Sequence, residues 1–129
     1  MDFNAPPVAP LTFQDAVARV LSKYAQFGGR ASRAEFWWFM LFCFIVNAAL
    51  GILYAITRWG IFNYIDWVFG LVIFIPVLAV SWRRLHDVGK GGGWWFINFV
   101  PIVGSIIFII WCAQASEPVT NRFGEVPAN

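Results

Sequence analysis

Charged residues make up only 12% of this 129-residue chain, against 60% that are hydrophobic. An ordinary soluble domain carries about a quarter charged residues, so the shortage argues for a membrane as the solvent. A single histidine and two cysteines supply no Cys/His cluster, and no structural zinc site or other metal is indicated. The net charge is +2 and no basic recognition face is present, which leaves nucleic acid without a counterpart. No Gly-x-Ser-x-Gly or His-Glu-x-x-His motif occurs. Gly89–Gly93 lacks the Walker spacing and its following Ser/Thr, so nucleotide hydrolysis is rejected, and nothing hints at a cofactor.

What the chain does hold is apolar length and tryptophan. Three apolar runs, at about 36–57, 64–82 and 94–113, approach or exceed the ~20 residues a helix needs to cross a hydrocarbon core of ~30 Å. The eight tryptophans fall at or near the ends of these runs, as amphipathic indoles do among headgroups. The expected fold is an all-α integral membrane protein with an amphipathic interfacial amino-terminal helix followed by three transmembrane helices. Asp66, near the start of the second run, is expected at the water boundary, because a carboxylate is costly at the midplane.

Ahead of the spans, residues 1–11 with Pro6, Pro7 and Pro10 read as a disordered leader without the basic and apolar regions of a secretory signal. Residues 12–127 read as one membrane domain, with 114–129 a polar tail. Phe13, Ala16, Val17, Val20, Leu21, Tyr24 and Phe27 keep helical spacing opposite Arg19 and Lys23. Residues 13–27 are therefore expected as a helix in the cytoplasmic interface, with packing on a partner or on the chain's own bundle as the competing reading. Thr12 with Asp15, and Ser32 with Glu35, read as capping boxes.

Orientation follows from Lys and Arg. Arg19, Lys23, Arg30 and Arg33 precede the first run, and Arg83, Arg84 and Lys90 separate the second from the third. The other flanks carry only Arg58 and Arg122. The positive-inside rule makes the amino terminus cytoplasmic, and a third full crossing sends the tail outside. Cys43 and Cys112 then differ in depth by more than ~10 Å and read as separate buried thiols. Within the runs, Asn47, Gly51 and Ala55 form one helical stripe, and Asn98, Pro101, Ser105 and Cys112 another. Both read as helix-packing surfaces.

The densest chemistry is Arg83-Arg84-Leu85-His86-Asp87. On a helix, Asp87 is spaced to pair with Arg83 and orient His86. Arg83, Arg84 and Lys90, with Arg30 and Arg33 at the first run, are the candidate anion- or lipid-binding residues. The alternative is that the arginines serve as topology anchors, with Asp87 pairing locally and the glycines merely turning the chain.

Phe27-Gly28-Gly29-Arg30-Ala31-Ser32-Arg33-Ala34-Glu35-Phe36-Trp37, then Arg83-Arg84-Leu85-His86-Asp87 with Trp94-Trp95, Pro101-Ile102-Val103-Gly104 and Asn121-Arg122-Phe123-Gly124, resemble the domain of unknown function 805 family. The resemblance covers about residues 13–127. It implies a small bacterial inner-membrane protein and no established activity. Two departures stand out: Gly91-Gly92-Gly93 replaces the family's compact polar residue ahead of its tryptophan pair, and Ser116-Glu117-Pro118 replaces its Gly-containing stretch.

The expected function is a noncatalytic component that binds anionic lipids or a partner, with a homo-oligomer or a membrane protein as possible partners. One alternative is a membrane-embedded enzyme on a lipid or isoprenoid phosphate, with His86 as acid/base, Asp87 orienting it, and Asn121 and Arg122 completing a composite site. Another is a channel or transporter subunit. The composite site requires both polar motifs on one side, which three crossings forbid. A break at Pro101-x-x-Gly104 into a re-entrant hairpin permits it.

Overall fold

The structure, a computed structural model, describes residues 11–127; the leader expected at 1–11 falls outside them except for Leu11, as do the last two residues of the tail. Among the described residues every regular element is helical. They are α1 (Phe13–Ser22), α2 (Arg33–Thr57), α3 (Gly60–Asp87), a 3-10 helix (Gly92–Phe99) and α4 (Val103–Ala113). Two of these, α2 and α3, are long and apolar enough to cross a membrane.

Both capping boxes form at the N–H of the acidic residue. The Thr12 hydroxyl accepts from Asp15 N–H at 3.2 Å and the Ser32 hydroxyl from Glu35 N–H at 3.1 Å, satisfying amides that a helix start leaves free. α1 is shorter than expected and ends at Ser22, where Lys23 leaves helical geometry. Its apolar stripe does not turn outward. Ala16 and Val20 are fully buried, and the Phe13 ring meets Trp38 at 5.8 Å and Phe42 at 6.3 Å on α2. The competing reading, a helix packed on the chain's own bundle, describes this face, while Leu21 and Tyr24 remain exposed.

α2 and α3 form an antiparallel hairpin joined only by Arg58 and Trp59. Arg58 takes the left-handed conformation (φ 54°) and its N–H bonds the Tyr54 carbonyl at 2.7 Å. α3 begins at Gly60, earlier than the expected boundary near Tyr64. Asp66 is thus the seventh residue of the helix, ~9 Å from its start, rather than at its mouth.

The third apolar run is not one helix. Pro101 lacks the N–H that a continuing helix needs. At Ile102 the backbone swings to φ 63°, ψ −63°, while Val103 N–H bonds the Pro101 carbonyl at 2.6 Å. That is a γ-turn with a β-branched residue at its centre, a rare and strained arrangement. The 3-10 segment, ~16 Å long, is answered by α4, also ~16 Å. The helical stripe of Asn98, Pro101, Ser105 and Cys112 expected of a continuous helix is accordingly broken. Gly104 makes the reversal possible, since a Cβ there would collide with the Ile97 carbonyl. The run's two ends meet: Trp94 and Trp111 rings lie 5.8 Å apart, and the Lys90 ammonium sits 4.8 Å above Trp111.

The buried core lies at the end of the bundle where α2 starts, α3 ends and α4 ends. Val20, Ala31, Phe36, Phe39, Val80 and Cys112 cluster there. At the opposite end, residues 51–61 are exposed throughout.

A buried arginine cluster as candidate functional site

Three arginines that the sequence offers as surface cations are interior. Arg30, Arg83 and Arg84 are at most 5% exposed, and they surround two buried carboxylates, Glu35 and Asp87. Charges removed from water are stable only when paired and hydrogen-bonded, and the pairing is extensive.

Arg30, on the loop before α2, uses every N–H of its fork. Its Nε donates to Asp87 Oδ1 at 3.0 Å. One terminal nitrogen donates to the carbonyls of Val119 (2.9 Å) and Gly124 (3.2 Å), the other to those of Asp87 (3.3 Å) and Glu117 (2.7 Å). Arg84 pairs with the second oxygen of Asp87, which also accepts from the Ser116 hydroxyl. Its remaining donors reach the carbonyls of Ala31 (3.2 Å), Cys112 (3.0 Å) and Gln114. Arg83 pairs with Glu35 and donates through Nε to the Gln26 carbonyl at 3.1 Å, while its Nη2 is buried without a partner among the described residues. Arg19 approaches the other Glu35 oxygen at 3.5 Å.

The expected Arg83–Asp87 pair is therefore not made. α3 does continue through Asp87, but Arg83 points to α2 while Asp87 lies between Arg84 and Arg30. Nor does Asp87 orient His86, whose Nδ1 faces the Gly29 carbonyl at 2.8 Å. Position i, i+4 permits a pair on an isolated helix; tertiary partners with better geometry take it here.

Several of these contacts cap α4. A helix ends with four carbonyls unsatisfied and a partial negative charge, and α4 has no basic residue in its own last turn. Arg84 and the Trp37 indole (3.0 Å) both donate to the Cys112 carbonyl, and Arg33 donates to that of Ala113 at 3.2 Å. Cations from α2 and α3 thus fix the direction in which α4 returns.

The tail completes the cluster. Glu117 N–H bonds the Asp87 carbonyl at 2.9 Å. Asn121-Arg122-Phe123-Gly124 closes on itself through paired backbone bonds of 3.0 and 3.1 Å between Asn121 and Gly124. From that turn, the Asn121 amide donates to the His86 carbonyl at 3.0 Å and to Glu117 at 2.9 Å. The Phe123 ring stacks on the His86 imidazole, centroids 4.0 Å apart and planes within 3°. α3 itself is closed at Gly89 (φ 81°), where a side chain would also meet the Glu117 carboxylate.

Burial pushes the His86 imidazole below its usual value; the Gly29 hydrogen bond opposes this and the positive Arg122 reinforces it. The apolar part of α3 ends at Trp82, so this residue stands beyond it. His86 and Asn121 are brought together as a composite site requires, but both are engaged in holding the tail.

Of the sequence-derived cations, Arg33, Lys90 and Arg122 keep surface. Arg122 lies exposed, 4.6 Å above the Phe123 ring. Arg33 borders two cavities. One, of about 350 Å³, is walled by Ala34, Trp37, Trp38 and Leu41; the other, of about 260 Å³, by Ala115, Ser116, Val126 and Pro127. The described residues contain no group of His, Cys, Asp and Glu able to hold a metal.

Nothing in the sequence marks Ser116, Glu117 or Phe123 as a site residue, and Glu35 reads there only as a helix cap. Glu35 had a usable signal: buried arginines in so apolar a chain require carboxylates, and few are available. The others are recruited by a tail whose return depends on the break at Ile102.

A family described as "Protein of unknown function (DUF805)" matches residues 24–125. Inner membrane protein YhaH of Escherichia coli (strain K12) is 36% identical over 116 residues, which cover 88% of this chain and 96% of that protein. Inner membrane protein YhaI of the same strain is 35% identical over 108 residues, covering 84% and 91%. No solved structure matches the chain. The matched segment runs from before the first arginine of the cluster to the turn that covers it, and the chain belongs to the DUF805 family of proteins of unknown function.

Proposed function

We propose that this is a noncatalytic, multi-pass protein of the bacterial inner membrane that receives an anionic lipid at Arg33. In this reading α2 and α3 cross the bilayer as a hairpin, and the third run enters to about half depth and returns. α1 lies along the cytoplasmic face with Leu21 toward the lipid. The lengths support it, since α4 at ~16 Å reaches about half of a ~30 Å core. The names of the relatives support the location. The concentration of basic residues at the α2 start and α3 end, against Arg58 alone at the hairpin tip, supports a cytoplasmic amino terminus.

The observation that carries the lipid assignment is the division among the arginines. Arg30, Arg83 and Arg84 are enclosed by internal partners, whereas Arg33 remains exposed beside an apolar slot formed by Trp37, Trp38 and Leu41. A cation at the rim of an apolar groove matches a lipid phosphate above an acyl chain, with the indoles at headgroup level. His86 and Asp87 are held by Gly29, Phe123 and the arginines, an arrangement suited to fastening rather than to proton transfer.

Brominated phosphatidylglycerol quenches nearby tryptophan, so it should quench the wild-type chain more than brominated phosphatidylcholine does. Arg33→Gln should weaken the preference roughly fivefold, the order expected for ~1 kcal/mol per basic residue at an anionic surface. Equal quenching by both lipids in the wild type would remove the assignment.

A further inference from the structure

Arg33 walls both of the cavities at its end of the bundle. It is the first residue of α2, and its guanidinium donates to the carbonyl of Ala113, the last residue of α4, at 3.2 Å. The apolar slot of Trp37, Trp38 and Leu41 therefore starts at this cation and follows α2 for ~12 Å, the rise of the eight residues to Leu41. The second cavity, of about 260 Å³, is walled instead by chain that comes after α4: Ala115, Ser116, Val126 and Pro127. Slot, cation and second cavity succeed one another in the order in which a phospholipid carries acyl chain, phosphate and headgroup.

The walls of the second cavity select among headgroups. Apart from Arg33, none of the described residues that line it is charged. An ammonium head would find no carboxylate there and would stand beside a guanidinium, while a second phosphate would find no second cation. An uncharged head is what remains. Ser116 is the only uncharged polar side chain in the lining. Its hydroxyl is half-buried and donates its proton to Asp87, so what it still offers is acceptor lone pairs. Asp87 itself is completely buried and already paired with Arg30 and Arg84. A head that meets Ser116 must bring a donor, which a hydroxyl does and an alkyl group does not. The volume corresponds to ~9 water-sized groups at ~30 Å³ each, room for a small polyol.

We propose that the lipid held at Arg33 is a phosphodiester with a small uncharged polyol head, phosphatidylglycerol in class, with its phosphate on Arg33 and a head hydroxyl donating to Ser116. The inference rests on the lipid reading above and adds the headgroup to it.

The test compares brominated lipids as quenchers of the full-length chain in phosphatidylcholine liposomes. Phosphatidylpropanol carries the same charge as phosphatidylglycerol and nearly the same bulk, without the head hydroxyls. Brominated phosphatidylglycerol should reach half-maximal quenching at about one-fifth of the mole fraction that brominated phosphatidylpropanol needs, the order expected for one hydrogen bond. Ser116→Ala should erase this difference, while both anionic lipids still quench more than brominated phosphatidylcholine. Because Ser116 also bonds Asp87, a substitution away from the cluster supplies a second measurement. Ala115→Leu, at an exposed wall position, should deny the head its place and erase the difference as well. Equal quenching by phosphatidylglycerol and phosphatidylpropanol in the wild type, or a difference that survives either substitution, would overturn the polyol head. Displacement of the brominated lipid by excess soluble glycerophosphoglycerol would overturn a lipid as the occupant. The two readings fail separately. Anionic lipids that all quench alike, above phosphatidylcholine, overturn the headgroup alone, whereas anionic lipids no better than phosphatidylcholine overturn the site at Arg33 as well.

Discussion

Asp87 is the residue on which the cluster turns. It is completely buried and accepts from Arg30, Arg84 and Ser116. Removing its charge leaves two buried guanidiniums without a carboxylate, and breaking such a pair from one side costs about 3–5 kcal/mol. Asp87→Asn should therefore unfold in detergent at a much lower temperature, measured by tryptophan fluorescence, whereas Arg122→Gln at the surface should change little. His86 gives a pH dependence. Its folded value lies below its ordinary one, so the fold favours the neutral ring. This contribution is fully present above the unfolded value of ~6.5 and is lost as pH falls through the folded value. Amide exchange in residues 117–125 should accelerate as pH falls below about 6.5, and His86→Phe should flatten that change. Equal acceleration in both proteins would assign the effect elsewhere.

Among the elements, the long helices were readable from apolar length, and their starts from the Thr12 and Ser32 caps, because those signals are local. The third run misled for the same reason. Its composition is that of a crossing helix, and Pro101 alone is compatible with a kink. What divides the run is a conformation at Ile102 that no β-branched residue prefers, imposed by packing on both sides and by external donors at the end of α4. Arg33, Trp37 and Arg84 reach that end from elsewhere in the chain, and sequence spacing within residues 94–113 carries no trace of them. The site was legible to a similar extent: its members Arg30, Arg83, Arg84, His86, Asp87 and Asn121 stand out as motifs, but their inward direction does not. Gly104 is the position where the hairpin is most sensitive. Gly104→Leu would drive a side chain into the Ile97 carbonyl. It should lower stability by more than ~2 kcal/mol, read from thermal unfolding, while the exposed Val103→Leu stays near wild type.

For the molecule as a whole, the break changes which ends are neighbours. A full third crossing separates Asn121 from His86 by the membrane thickness; the returning α4 brings them to 3.0 Å. A cysteine placed at Glu125, with Cys43 and Cys112 replaced, should resist membrane-impermeant reagents in intact cells and label once the cells are opened. One placed at Arg58 should label from outside. Labelling of Glu125→Cys from outside would restore the third crossing. This arrangement also bears on how the chain is made. Arg30, Glu35, Arg83 and Asp87 emerge from the ribosome before residues 112–124, which supply the last acceptors for Arg30 and Arg84. A chain interrupted ahead of residue 112 retains the carboxylates Glu35 and Asp87 but leaves Arg30 and Arg84 short of the carbonyls that complete their hydrogen bonding. The cluster's hydrogen bonding therefore closes last, once residues 112–124 have been made and have returned to it.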